Sequence, residues 1–361
     1  MEKYRKIEAI APTRIDLAGG TVDIWPIFLY LENPVTINMG INLYANAKLT
    51  ESPAKETPLI TLRSLDQNAT YQFTWEKRDR KDVPRSLILP YLVFQYFRKR
   101  LEMENRKFQK LNLTIETTCK SPAGAGLGGS SSLAIALAGL FFEWCYPGKI
   151  DTKKDGQTLI NIVKDIEAQV IEVPTGLQDY YGATFGGLQK IDWNVESPVS
   201  NALPEDTLQA LQNRIVLFYS GKSRHSGINN WELFKEFIDH KGIVREQFSG
   251  IVESTRLVFQ HLLNNDWEGV GVSIESEWKV RRQLSNGITT PEIDHGIQMA
   301  KKAGATAAKI CGAGGGGCFF AYFPNGTPET RSAIIRTVES DLIKHLPFEC
   351  VPKGLVVKSE S

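Results

Sequence analysis

The stretch "SPAGAGLGGSSSLAIALAGLFFEW" (121–144) constrains the fold of this chain more than any other. Four glycines between positions 124 and 129 and serines at 130–132 run straight into an unbroken apolar segment. Glycine lacks a Cβ and takes positive φ freely, whereas a segment apolar almost all round reads as a buried helix. Such a helix must be held firmly against its strand, so the glycines read as a tight turn rather than a slack linker. The strand-like "LNLTIETTC" (111–119) feeds that turn.

The totals bound the rest. At 361 residues the chain has room for one large domain or two packed ones. A formal net charge of +1 favours neither nucleic acid nor an anionic membrane as partner. The cysteines (Cys119, Cys145, Cys311, Cys318, Cys350) are odd in number and widely spaced, which argues against a disulfide framework and a zinc cluster. No signal-peptide or transmembrane pattern is evident, so a cytoplasmic protein is expected.

Along the chain, "KIEAIAP", "TINMGINLYANAKLT", "PLITLRS" and "ATYQFTW" read as strands. Helical spacing recurs over 86–101, apart from Pro90, and over 156–172. Beyond a soft boundary near residue 190, "NRIVLFYS" is a strand and four polar-faced helices follow at 228–242, 245–264, 266–284 and 291–303. "AAKICGAGGGGCFFAYFP" is a second glycine loop between strand-like flanks, and "GLVVKS" is a last strand. Sheets and helices without regular βαβ alternation predict an α+β fold.

Four stretches carry chemistry. A glycine turn that opens a helix exposes first-turn amides and the positive end of the helix dipole, which suits a polyphosphate. Hydroxyls there can reach a metal on the same phosphates; the plainer alternative makes Ser130 an N-cap. In "CGAGGGGC" (311–318) the glycines exceed what a turn requires, so two loops lining one ligand compete with a hairpin or bulge. In "APTRIDLAGGTVD" (11–23), Arg14 can neutralise a phosphate oxygen and Asp23 can accept from hydroxyls, unless the two are a solvated pair. In "EVPTGLQDYYGATFGG" (172–187), Asp179 is either a base for an attacking hydroxyl or a helix N-cap. The scattered histidines predict no metal site, and Trp25, Phe28 and Tyr30 line a pocket or pack the core.

These stretches, in this order, resemble the GHMP kinase superfamily over nearly the whole chain, "SPAGAGLGGSSSLA" most specifically. The finer likeness is to its sugar-kinase branch, notably the heptose 7-phosphate kinases and the kinase part of L-fucokinase. It is carried by "TRIDLAGGTVDIWP", "LFYSGKSRHSG" and residues 277–317. The chain has "GGTVD" where heptose-phosphate kinases usually have a longer glycine run, at the place where the sugar would bind.

The resemblance implies a two-domain fold: a ribosomal-protein-S5-like domain over 1–190 and a ferredoxin-like domain with extra helices over 191–361. It implies an ATP- and Mg²⁺-dependent kinase, a monomer or homodimer, acting on a small sugar or sugar phosphate without nucleic acid or membrane. The first expectation is the anomeric hydroxyl of a heptose 7-phosphate. L-fucose, a hexose, a uronic acid, a mevalonate-type alcohol, or a non-catalytic ATP and sugar sensor are the alternatives. Carried over, Pro122, Gly124, Gly126, Leu127, Gly128, Gly129, Ser130 and Ser131 would cradle the ATP phosphates. Ser130 and Glu167 would hold Mg²⁺, Asp179 would be the base, and Arg14 would lie near the γ-phosphate. Asp23, Gly20 and Gly314 would meet the substrate, and Lys222, Arg224, Arg281 and Arg282 a substrate phosphate.

Overall fold

The structure is a computed structural model and describes residues 4–106, 111–222, 227–285 and 287–360. Strands β1 (Lys6–Ala18), β2 (Val35–Pro53), β3 (Leu59–Ser64), β4 (Ala69–Thr74), β5 (Leu111–Cys119), β6 (Leu188–Asp192) and β7 (Val199–Ala202) share one sheet. Its order runs β1-β2-β5-β3-β4, with β3 parallel to β5. Strand β2 is long enough to serve two partners: residues 45–53 pair with β5, and residues 35–39 pair with β6.

Four helices cover this sheet: α1 (Ile88–Met103), α2 (Gly129–Cys145), α3 (Thr152–Ile171) and α4 (Gln178–Phe185). Helix α2 is apolar all round because β1 and β2 cover one side while α1, α3 and α4 cover others. Pro90 sits in the first turn of α1, where an amide has no intrahelical acceptor to lose. The C-terminal end of α2 is capped by cations: Arg5 donates to the carbonyls of Glu143 and Trp144, and Arg106 to that of Cys145.

The second half adds α5 (Glu205–Gln212), β8 (Ile215–Tyr219), α6 (Gly227–Ile238), α7 (Val244–Leu263), α8 (Trp267–Arg281), α9 (Pro291–Lys302), β9 (Ala307–Ile310), β10 (Cys318–Tyr322), α10 (Pro328–Val338) and β11 (Lys344–His345). Its sheet is antiparallel in the order β11-β8-β10-β9. Helices α6 to α9 begin and end within a few residues of their expected positions. Among the described residues no helix is long and apolar enough to cross a membrane.

Strands of the first sheet cross the division expected near residue 190. That residue lies inside β6, and β7 extends the same sheet beyond it. The last strand, β12 (Val356–Glu360), also returns to the first sheet, pairing antiparallel with β1. The approach is close: a Cβ on Gly139 of α2 would lie 2.7 Å from Cδ2 of Leu355. The physical reason is edge pairing. The 35–39 end of β2 and the outer edge of β1 have free ladder groups, which these late strands satisfy.

Truncating the buried Leu355 therefore tests whether the C-terminus belongs to the first sheet. Leu355→Ala should lower stability by about 2–4 kcal/mol, read as a fall in the urea midpoint. An unmoved midpoint would contradict this packing.

Candidate active site

The site begins where β5 turns into α2. Gly124 and Gly126 have φ of 68° and 74°, and Gly128, the residue before the helix, has φ 74° and ψ 24°. Those left-handed conformations are open to glycine at little cost. The first intrahelical bond from this mouth is Ser132 N to Gly128 O at 2.8 Å, so the amides of Gly129, Ser130 and Ser131 precede the ladder. Gly128 occupies the cap position and no side chain caps it, which removes the N-cap alternative for Ser130. The remaining loop residues support the mouth. Pro122 O accepts from Ala125 N, and Leu127 is buried with its carbonyl taken by Arg14 N.

Behind the mouth stands Glu167 of α3, which is buried. Its Oε2 accepts from Ser131 Oγ and from the Tyr180 hydroxyl, each at 2.8 Å. Burial pushes the Glu167 carboxyl above its ordinary pKa, and the hydroxyls of Ser130, Tyr180 and Ser131 pull it only part of the way back. A desolvated carboxylate beside the exposed Ser130 hydroxyl is a hard oxygen pair, and a divalent cation there would relieve the cost of burying the charge. The donor set therefore fits Mg²⁺. Among the described residues no group of three ligating side chains occurs, so phosphate and water oxygens would complete such a shell.

Arg14 and Asp179 meet across the same mouth. Arg14 Nε donates to Asp179 Oδ1 at 2.8 Å, and Nη2 reaches the same oxygen. Nη1 donates to the carbonyls of Gly126 and Cys311, each at 2.7 Å. Asp179 lies in the first turn of α4, whose cap is Leu177, so it is no N-cap. It remains partly exposed, its side chain 25% accessible, and a Cβ on Gly128 would come within 3.0 Å of its Cγ. The carboxylate is thus set against the glycine turn with one oxygen held.

Asp23 lies beside it, buried. Its Oδ2 accepts from Gln178 N at 2.9 Å, and Oδ1 from Gln178 Nε2 at 3.5 Å. Burial pushes this carboxyl up to about 6; the Gln178 amide opposes that, and the like charges of Asp179 and Asp16 add to it.

The second glycine loop packs on the first. A Cβ on Gly312 would lie 2.8 Å from Cα and O of Gly126, and one on Gly317 would lie 2.6 Å from Ala125 O. Cys318 N donates to Ala125 O at 2.7 Å. Loop against loop, not only loop against ligand, explains this glycine density. Gly314 follows suit, since its Cβ would lie 2.1 Å from Ile288 O.

The residues expected to meet substrate have these surroundings. Arg281 is 1% exposed and bonded to Asp16, Glu277, Thr21 and the carbonyl of Gly312. A Cβ on Gly20 would lie 2.0 Å from Asp16 Oδ2 and 2.6 Å from Arg281 Nη1, so Gly20 packs on that cluster. Lys222 is paired with Glu292 at 2.6 Å and Arg282 with Asp294 at 3.3 Å. Arg224 lies outside the described residues. Trp25 and Tyr30 are exposed, while Phe28 packs on Trp193.

Residue patterns alone missed Tyr180, Gln178, Asp16, Glu277 and Lys309. One signal was available: Val270, Ile274, Glu277 and Arg281 repeat at helical spacing on the buried stripe of α8, and Arg282 falls one step off it.

Residues 89–187 match the family of GHMP kinases, N terminal domain, and residues 258–342 match GHMP kinases, C terminal. The chain belongs to the GHMP kinases. It is 24% identical to D-glycero-alpha-D-manno-heptose 7-phosphate kinase of Campylobacter jejuni, over 88% of this chain and 89% of that one. It is 27% identical to mevalonate kinase of Methanothermobacter thermautotrophicus, over 68% of this chain and 74% of that one. A solved D-glycero-D-manno-heptose 1-phosphate kinase from Bacteroides thetaiotaomicron shares the fold at a TM-score of 0.74, with 20% identity over 98% of each chain. This GHMP kinase is therefore a phosphotransferase with its two glycine loops in backbone contact.

That contact predicts a binding defect. In Gly312→Ala the added methyl must push the loops apart, an overpacking that typically costs about 1–3 kcal/mol. Expressed as affinity for a nonhydrolysable ATP analogue, the loss should be roughly 5- to 150-fold by calorimetry. Unchanged binding would show that the loops are not coupled.

Proposed function

We propose that this GHMP kinase transfers the γ-phosphoryl group of ATP, with Mg²⁺, to the anomeric hydroxyl of a heptose 7-phosphate. The observation that carries the chemistry is the Arg14–Asp179 pair set against the open first turn of α2, with Asp23 alongside. The sugar-phosphate acceptor rests on the likeness to the heptose-phosphate kinase of C. jejuni.

In this reading the amides of Gly129 to Ser131 and the dipole of α2 bind the terminal phosphates. Ser130 and Glu167 would hold the magnesium ion, which when bound neutralises phosphate charge. Asp23 and Gln178 orient the sugar hydroxyls. Asp179 accepts the proton of the attacking hydroxyl as the new O–P bond forms and the bond from the γ-phosphorus to the bridging oxygen breaks, releasing ADP. Arg14 keeps that carboxylate in place through Nε while its Nη1 fixes the two loops. Phosphoryl transfer depends chiefly on such positioning and charge neutralisation.

A second reading has one observation in its favour. Lys222 and Arg282 are paired with carboxylates and Arg281 is buried, so three of the four cations expected to grip a substrate phosphate are engaged. That favours a neutral sugar, of the kind named for the L-fucokinase/L-fucose-1-P guanylyltransferase of Bacteroides fragilis, 24% identical over 96% of this chain and 38% of that one. ADP release with D-glycero-D-manno-heptose 7-phosphate, L-fucose, D-mannose and R-mevalonate decides between them. Turnover confined to neutral sugars would overturn the phosphorylated acceptor.

Asp179→Asn should lower kcat by roughly 10²–10⁴-fold, while calorimetry with magnesium and the ATP analogue stays within a few-fold of wild type. Near-normal turnover would remove the role as base. Asp23 predicts a pH dependence. Its raised pKa of about 6 leaves it an ionised acceptor at neutral pH and a protonated donor below, so acceptor kcat/KM should fall as pH drops through about 6. In Asp23→Asn that limb of the profile should vanish.

A further inference from the structure

Asp16, Glu277, Arg281 and Lys309 form a fully buried quartet of charges, two of each sign. They come from three elements, β1, α8 and β9. Burying charges is a poor route to stability, because desolvation offsets most of the attraction. A quartet kept in place despite that cost calls for another role, and the directions of the Arg281 donors supply one.

Nη1 of Arg281 donates to Asp16 Oδ2 at 2.8 Å and to Glu277 Oε1 at 3.3 Å, which anchors the guanidinium. Nη2 faces the other way, donating to Thr21 Oγ1 at 3.1 Å and to Gly312 O at 2.9 Å. Thr21 stands two residues before Asp23 in the turn that would face the acceptor. Gly312 backs onto Gly126 of the phosphate loop. One planar group therefore spans the acceptor turn and the loop that buttresses the nucleotide. Around it Lys309 Nζ donates to Glu277 Oε1 at 3.0 Å and to Leu17 O at 3.3 Å, and Gly19 N donates to Glu277 Oε1 at 3.3 Å. Gly20 has no room for a side chain.

We infer that Arg281 is a positioning residue that sets the acceptor turn, residues 19–23, at a fixed distance from the paired glycine loops. This rests on the phosphotransfer reading above. Lysine keeps the charge balance of the quartet but cannot fork between Thr21 and Gly312.

Arg281→Lys separates this role from a merely structural one. Acceptor KM should rise about tenfold, in keeping with the sensitivity of transfer to small misplacements. Affinity for the magnesium-bound ATP analogue should stay within about twofold, and more ADP should form per acceptor phosphorylated. Amide hydrogen exchange in 19–23 and 312–317 should quicken in both segments at once, while protection in α2 is kept. The exchange and analogue measurements need no sugar, so they decide the role of Arg281 even if wild type turns over none of the acceptors tested. Should the variant fail to fold, Thr21→Ala removes one arm of the fork at a position whose positive φ suits alanine no worse than threonine. The same shifts, smaller, are then expected. Unchanged exchange in either segment of a folded variant overturns the inference. So does acceptor KM within about twofold of wild type for any sugar the wild type phosphorylates.

Discussion

A guanidinium presents its N–H donors in a fixed plane, and Arg14 spends them on three separate elements. Nε and Nη2 take Asp179, while Nη1 takes the carbonyls of Gly126 and Cys311. These partners lie 165, 112 and 297 residues away in sequence. Because the fork is rigid, fixing one partner fixes the angles to the others. The first glycine loop, the second glycine loop and the carboxylate are thus held in one register by a single buried side chain.

That rigidity answers the puzzle of so much glycine at a site that must be still. Glycine costs backbone entropy on ordering, and the two loops recover order by lying on each other. Gly312 meets Gly126, and Gly317 meets Ala125. A cradle of main-chain amides cannot be stiffened by its own side chains, so the contact must come from another stretch of main chain. Arg281 repeats the device one layer deeper, where its donors tie the turn at Thr21 to the carbonyl of Gly312.

Local signals carried much of this into the sequence. The start of α2 at the end of the glycine turn, the limits of β5 and the four late helices follow from glycine, periodicity and apolar runs. What escaped was non-local. Nothing within "GLVVKS" says that it will pair with β1 rather than end the second half, because edge pairing is decided by which ladder groups remain free. Arg281 and Arg282 are likewise identical as neighbours in a string. Only the burial of one face of α8 sends Arg281 into a quartet with Asp16, and leaves Arg282 on the surface with Asp294. Burial pushes Asp16 up, yet Lys309 and Arg281 outweigh it and hold that carboxyl below its ordinary value, a balance no composition reveals.

The charge pattern also bears on the proposed role of the main-chain amides at the mouth of α2. Glu167 and Asp179 stand beside it, and the guanidinium of Arg14 is already committed to Asp179 and the loop carbonyls. A free lysine there would be drawn to the nearest carboxylate, as Lys222 is drawn to Glu292. Main-chain N–H groups and a helix dipole cannot be diverted in that way, since their direction is set by the fold. In the proposed reading, a site holding phosphates beside its own carboxylates gains from donors that are fixed in place and carry no net charge.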